Sequence, residues 1–141
     1  MTQEDYINRF PWNELKEKVR LKLPILFKNC TPIDNVIDFV IWIDSNGGLN
    51  FDGYQRFEND KTIQRIGDTI KDWNEDLYQF DILDEIIDEA YDEGFEDTGY
   101  EIDKRLQAII KEELPLLQRK NFGFPNEVLI NIKIQDVIRK K

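Results

Sequence analysis

Apolar and polar positions alternate along this chain mostly with the period of a helix. Residues 12 to 29 place Trp12, Leu15, Val19, Leu23 and Leu26 in line, with Pro24 kinking the path. A short helix from Glu4 to Arg9 precedes them. Thr31, Pro32 and Asp34 then carry helix-start chemistry: a cap hydroxyl, a proline for the first position and an acid in the first turn. The segment behind them, Ile33 to Ile43, is apolar on every side. Periodicity alone does not choose there between a buried helix and a central strand.

Asp60 is expected to cap a helix with Ile63, Ile66, Ile70, Trp73 and Leu77 on its inner face. Asp81 opens another, with Ile82, Leu83, Ile86, Ile87, Ala90 and Tyr91 on one side. Asp84, Glu85, Asp88, Glu89, Asp92 and Glu93 fill the opposite side, the clearest amphipathic signal in the chain. Gly94 supplies the stop. Thr98 and Glu101 have capping-box spacing for a helix that buries Leu106, Ile109, Ile110 and Leu114 and that Pro115 bends or ends. Val128 to Ile134 alternates like a strand, which needs a partner near Phe39 to Phe51. A cap at Asn126 and basic residues at 139–141 would instead suit a helix. The expected fold class is mainly α: a compact bundle of about five to seven helices in one domain over 1–141. A small hairpin or a C-terminal strand is the α+β alternative.

Composition agrees with a folded domain. With 141 residues, 40% hydrophobic and 12% aromatic, the chain can bury a core of its own. No apolar run approaches the roughly 18 residues of a membrane span, and the N-terminus has no secretory h-region, so a soluble cytoplasmic protein is expected. The single cysteine, Cys30, fits a reducing compartment. No histidine is present, which removes Ser-His and Cys-His nucleophiles, His-ligated zinc and the usual near-neutral acid or base. No catalytic residues, cofactor or metal are expected.

Charge changes the picture more. Asp72 to Asp103 holds fourteen carboxylates and no Lys or Arg, so the net charge of -10 is a local property of that stretch. Two carboxylates ~6 Å apart repel by about 0.7 kcal/mol even in water. The simplest reading of such a run is a solvated face that keeps the protein soluble. The helix, however, lacks i, i+4 cations and sets Asp92 and Glu93 against its dipole, and an external partner supplying positive charge would explain both.

Two metal readings fail on spacing. Asp44-Ser45-Asn46-Gly47-Gly48 begins like an EF-hand, but counting from Asp44 puts Leu49 where glycine is needed and Gln55 where the bidentate glutamate is needed. A tight turn at Asn46-Gly47-Gly48 explains the composition. Glu85-x-x-Asp88 and Glu101-x-Asp103 match only partly the paired carboxylates of all-α magnesium-dependent nucleotide hydrolases, because the second pair has the wrong spacing. The apolar side of that helix must also face inward, which turns its carboxylates to solvent.

The expected function is therefore a non-enzymatic, protein-binding inhibitor whose acidic helix face meets a basic protein, with a bacterial immunity protein against a nuclease-type toxin as the most economical form. Its expected contact residues are Asp84, Glu85, Asp88, Glu89, Asp92, Glu93, Glu96 and Asp97, with Tyr78, Phe95 and Tyr100 as aromatic anchors. A phage-type nucleic-acid mimic that inhibits a defence nuclease is the alternative. Seven acids from Asp81 to Glu93 lie ~2.6 Å apart along the helix, against about 1.7 Å per charge in duplex DNA. The hydrolase stands third. The basic region from Lys104 onward is diffuse and lacks interleaved aromatics, which argues against direct nucleic-acid binding.

Overall fold

The computed structural model describes residues 1–44, 50–57, 63–66, 80–118 and 121–137. Four helices appear among them: α1 (Gln3–Ile7), α2 (Trp12–Lys28), α3 (Phe80–Asp92) and α4 (Thr98–Gln118). Four strands accompany them: β1 (Val36–Asp44), β2 (Asn50–Arg56), β3 (Ile63–Arg65) and β4 (Leu129–Ile134). The strands form one mixed sheet in the order β3-β2-β1-β4, antiparallel except for the parallel pair β1–β4. The architecture is α+β, which corrects the expected helical bundle.

The correction begins at Asp34 and Asn35. Both have left-handed backbones, with φ of 53° and 63°. A helix start cannot hold that conformation, whereas Asp and Asn tolerate it in a tight turn. Ile33 and Val36 exchange both main-chain hydrogen bonds around the turn, at 3.0 and 2.9 Å. The chain then leaves as β1, rich in β-branched and aromatic residues. It lies inside the sheet between β2 and β4, with Ile37, Phe39 and Ile41 in the core and the apolar Val40 and Trp42 on the opposite face, so no single period marks it.

Other expectations shift similarly. Ile63–Arg65 runs as β3 beside β2, with Ile63 exposed, where a helix was expected. Ile66, the next expected inner position, is buried just past β3, and the other parts of that expected helix, 60–62 and 67–77, lie outside the described residues. The expected strand near the C-terminus is β4, and its partner is β1, paired over Val36 to Ile41 and so only partly within the expected Phe39 to Phe51. Trp12–Lys28 is one continuous helix that includes Pro24, and α4 likewise continues through Pro115 to Gln118.

One face of the sheet carries Ile37, Phe39, Ile41 and Phe51 into a core shared with Leu15, Val19, Leu23 and Phe27 of α2, Leu83, Ile86 and Ala90 of α3, and Ile102, Leu106 and Ile110 of α4. Phe27 is the hinge of this packing, 4.5 Å from the Phe39 ring and 4.1 Å from the Phe122 ring. Gln55 is buried on the same side, and its amide meets both main-chain groups of Thr31: it accepts from the N–H at 3.2 Å and donates to the carbonyl at 2.6 Å. That side chain fixes the path from α2 into β1. Between α2 and α4, the buried Glu113 carboxylate accepts from Arg20 at 2.7 Å and lies 3.8 Å from Lys16.

Candidate partner-binding face

The spacing of α3 sets what it shows to solvent. Leu83, Ile86 and Ala90 recur at three and four residues and are fully buried, with Ile82 and Ile87 half-buried beside them. Asp84, Glu85, Asp88, Glu89, Asp92 and Glu93 are all exposed. The helix ends at Gly94, φ 94°, where the Phe95 amide donates to Ala90 and the Gly94 amide to Tyr91, both at 2.9 Å. This pair of bonds is a Schellman stop, and it needs the left-handed glycine. Phe95 follows as its hydrophobic closure.

The face is not without an intramolecular cation, as the sequence suggested. Arg9, just past α1, forms an ion pair with Glu89. That hydrogen bond, with the nearby charges of Glu89 and Glu85, raises the guanidinium above its ordinary pKa. Tyr6 of α1 is buried beside the Glu93 carboxylate, and burial together with that carboxylate raises the phenol's pKa. Gln3 donates to Asp97 at 2.7 Å, and Arg105 of α4 reaches Glu4 at 2.8 Å and Asn8 at 3.3 Å. Helix α1 is thus strapped across α3 and α4. No periodicity could announce it, because Arg9 and Glu89 are 80 residues apart.

The expected anchors fare differently. Phe95 is half-buried, its ring 6.1 Å from Tyr6, and it belongs to the packing under α1 more than to a rim. Tyr100 is half-buried with the Lys104 ammonium 5.3 Å from its ring. Tyr78 lies outside the described residues. Tyr91, expected on the apolar side, is 59% exposed among the carboxylates. Angular position was the available signal: Tyr91 sits one step past Ala90, off the stripe centred on Leu83, Ile86 and Ala90. Glu96 is exposed and Asp97 half-buried. The capping box at Thr98 does not form as expected. Its hydroxyl donates back to the Phe95 carbonyl at 2.8 Å, and Glu101 begins the helical ladder by donating to Asp97.

No protein-family model, curated protein or solved structure matches this chain. Function therefore rests on geometry.

Among the described residues, no three or more His, Cys, Asp or Glu side chains are grouped to hold a metal. The segment that imitated a calcium loop continues as β2, where Asp52 pairs with Arg65 at 2.9 Å; residues 45–49, including the expected turn, lie outside the described residues. No helix among the described residues is long and apolar enough to cross a membrane.

Proposed function

We propose that this protein is a protein-binding inhibitor whose α3 face engages a basic partner, most economically as an immunity protein that neutralises a nuclease-type toxin in the cytoplasm. One observation carries the reading: six exposed carboxylates line one side of α3 and the turn that ends it, with an exposed tyrosine among them. Such a surface complements the Lys and Arg groups that a nuclease uses to hold phosphates, and it accelerates encounter through long-range attraction. Tyr91 adds the amphipathic contact area that interface anchors supply, and we place it with the acids in the contact set. The α+β fold and the solvent exposure of the α3 carboxylates favour this reading over the hydrolase alternative.

The test is a partner captured with the purified chain, identified, and followed kinetically across a salt series. Association should slow strongly as salt rises while dissociation changes little. Tyr91→Ala should mainly speed dissociation. A partner whose association ignores salt, or whose footprint avoids α3, would defeat the proposal. Binding to a defence nuclease in competition with DNA would select nucleic-acid mimicry instead.

A further inference from the structure

We propose that two copies of this chain join through the outer edge of β4, antiparallel about a two-fold axis at Ile132, to make one continuous sheet. The main-chain directions of β4 lead there. The amide of Leu129 donates to Asn35 at 2.8 Å, and that of Gln135 donates to Ile41 at 2.9 Å. Main-chain groups alternate in direction along a strand, so residues 129, 131, 133 and 135 address β1. Those of Ile130, Ile132 and Ile134 point away from it. Among the described residues no strand lies beyond β4.

The side chains agree with this register. Ile130, Ile132 and Ile134 are half-buried at the rim of the core, while Leu129, Asn131 and Lys133 occupy the other face. An antiparallel neighbour centred on Ile132 sets Ile132 against Ile132 of the second copy and Ile130 against its Ile134. These are the positions with outward main-chain groups, giving about six hydrogen bonds. The same pairing brings the half-buried isoleucines of both copies together and extends each core across the junction. Lys133 falls opposite Asn131 of the second copy rather than opposite another lysine, so like charges do not face each other. A two-fold axis makes this complementarity reciprocal. The other edge is different: β3 has three residues, all exposed, and ends in Arg65. Charged, short edges discourage pairing, whereas β4 is longer and carries isoleucine at every second position.

The experiment is sedimentation of the full chain from low to high micromolar concentration. The mass should double with concentration, and added salt should favour the dimer because each copy carries -10. That is the opposite sign to partner binding by α3, so the two proposals fail separately. Ile132→Pro removes an outward amide and leaves the bonds to β1 in place, so it should weaken association by about tenfold or more with the circular dichroism spectrum unchanged. Asn131→Cys/Lys133→Cys should oxidise to a covalent dimer, since residues facing each other without main-chain bonds approach most closely. Cys30 is buried and does not compete. A monomer at every concentration, or a dimer that Ile132→Pro leaves intact, overturns the proposal. Crosslinking by Asn131→Cys alone overturns the register centred on Ile132.

Discussion

Gly53 shows how one missing side chain shapes this sheet. The Phe39 ring lies over it, so closely that a Cβ built there would stand 2.1 Å from Cζ of Phe39. Phe39 is fully buried and has no room to swing away. Gly53→Ala should destabilise by about 1–3 kcal/mol through overpacking, read as a lower urea midpoint at constant m-value. Gln55 fills the opposite need, a polar side chain kept inside to satisfy Thr31. Gln55→Leu should cost roughly 1–3 kcal/mol by leaving that amide and carbonyl unpaired, and should disturb Thr31 and Ile33 first in amide exchange. Burial pushes the Cys30 thiol up to about 12, so it should resist thiol reagents near neutral pH until the protein unfolds. Asp5 titrates the other way. It accepts from the Thr2 amide at 2.8 Å, and its bonds to the Thr2 backbone and hydroxyl hold its pKa below the ordinary 3.8. Its contribution is therefore complete above that pH and is lost as pH falls through the lower folded value. An NMR titration of Asp5, with exchange of the α1 amides in parallel, checks the direction.

Helices α1 and α3 act as a pair. Helix α1 has five residues, too few to persist alone, yet it is capped reciprocally by Thr2 and Asp5 and strapped through Arg9, Tyr6 and Gln3. The acids of α3 therefore have unequal duties. Among the described residues, the exposed Asp84, Glu85 and Asp88 hold no cation, whereas Glu89 holds Arg9. Converting Asp84 and Asp88 to Asn and Glu85 to Gln should leave the melting temperature level or slightly higher, because repulsion is removed without touching the core. Adding Glu89→Gln should speed exchange of the α1 amides. If the first three substitutions lowered the melting temperature by several degrees, those acids would be structural and the proposed function would lose its support.

At the scale of the molecule, charge is distributed unevenly between the helices. The charged side chains of α3 are all carboxylates, while α2 carries Lys16, Lys18, Arg20, Lys22 and Lys28 against Glu14 and Glu17. Such an arrangement presents an oriented field to a charged partner. It does not by itself make a cation site. Millimolar calcium or magnesium should raise the melting temperature very little, since a native-state site at that concentration would stabilise by RT ln(1 + [L]/Kd). A large upward shift in a thermal melt would show a site that the described residues do not reveal.

The sequence by itself determined α2, the amphipathic helix α3 with its Gly94 stop, the buried stripe of α4 and the alternation of β4. Each depends on contacts or backbone preferences within a few residues, and local periodicity records them directly. It determined that the ladder faces solvent for the same reason: an apolar side must be buried, and the carboxylates occupy what remains. Only the tertiary structure decided that Ile33 to Ile43 contains a strand. Apolar residues stand on both faces of β1, from Phe39 and Ile41 in the core to Val40 and the exposed Trp42 opposite, so it has no period to read, and its choice is made by β2 and β4 bonding to either side. Only the tertiary structure turned Ile63 to Arg65 into an edge strand, where pairing with β2 overrode a spacing that also fits a helix. The tie of Arg9 to Glu89 was decided there too. An ion pair between residues 80 positions apart follows from how α1 packs, and no local pattern encodes that distance.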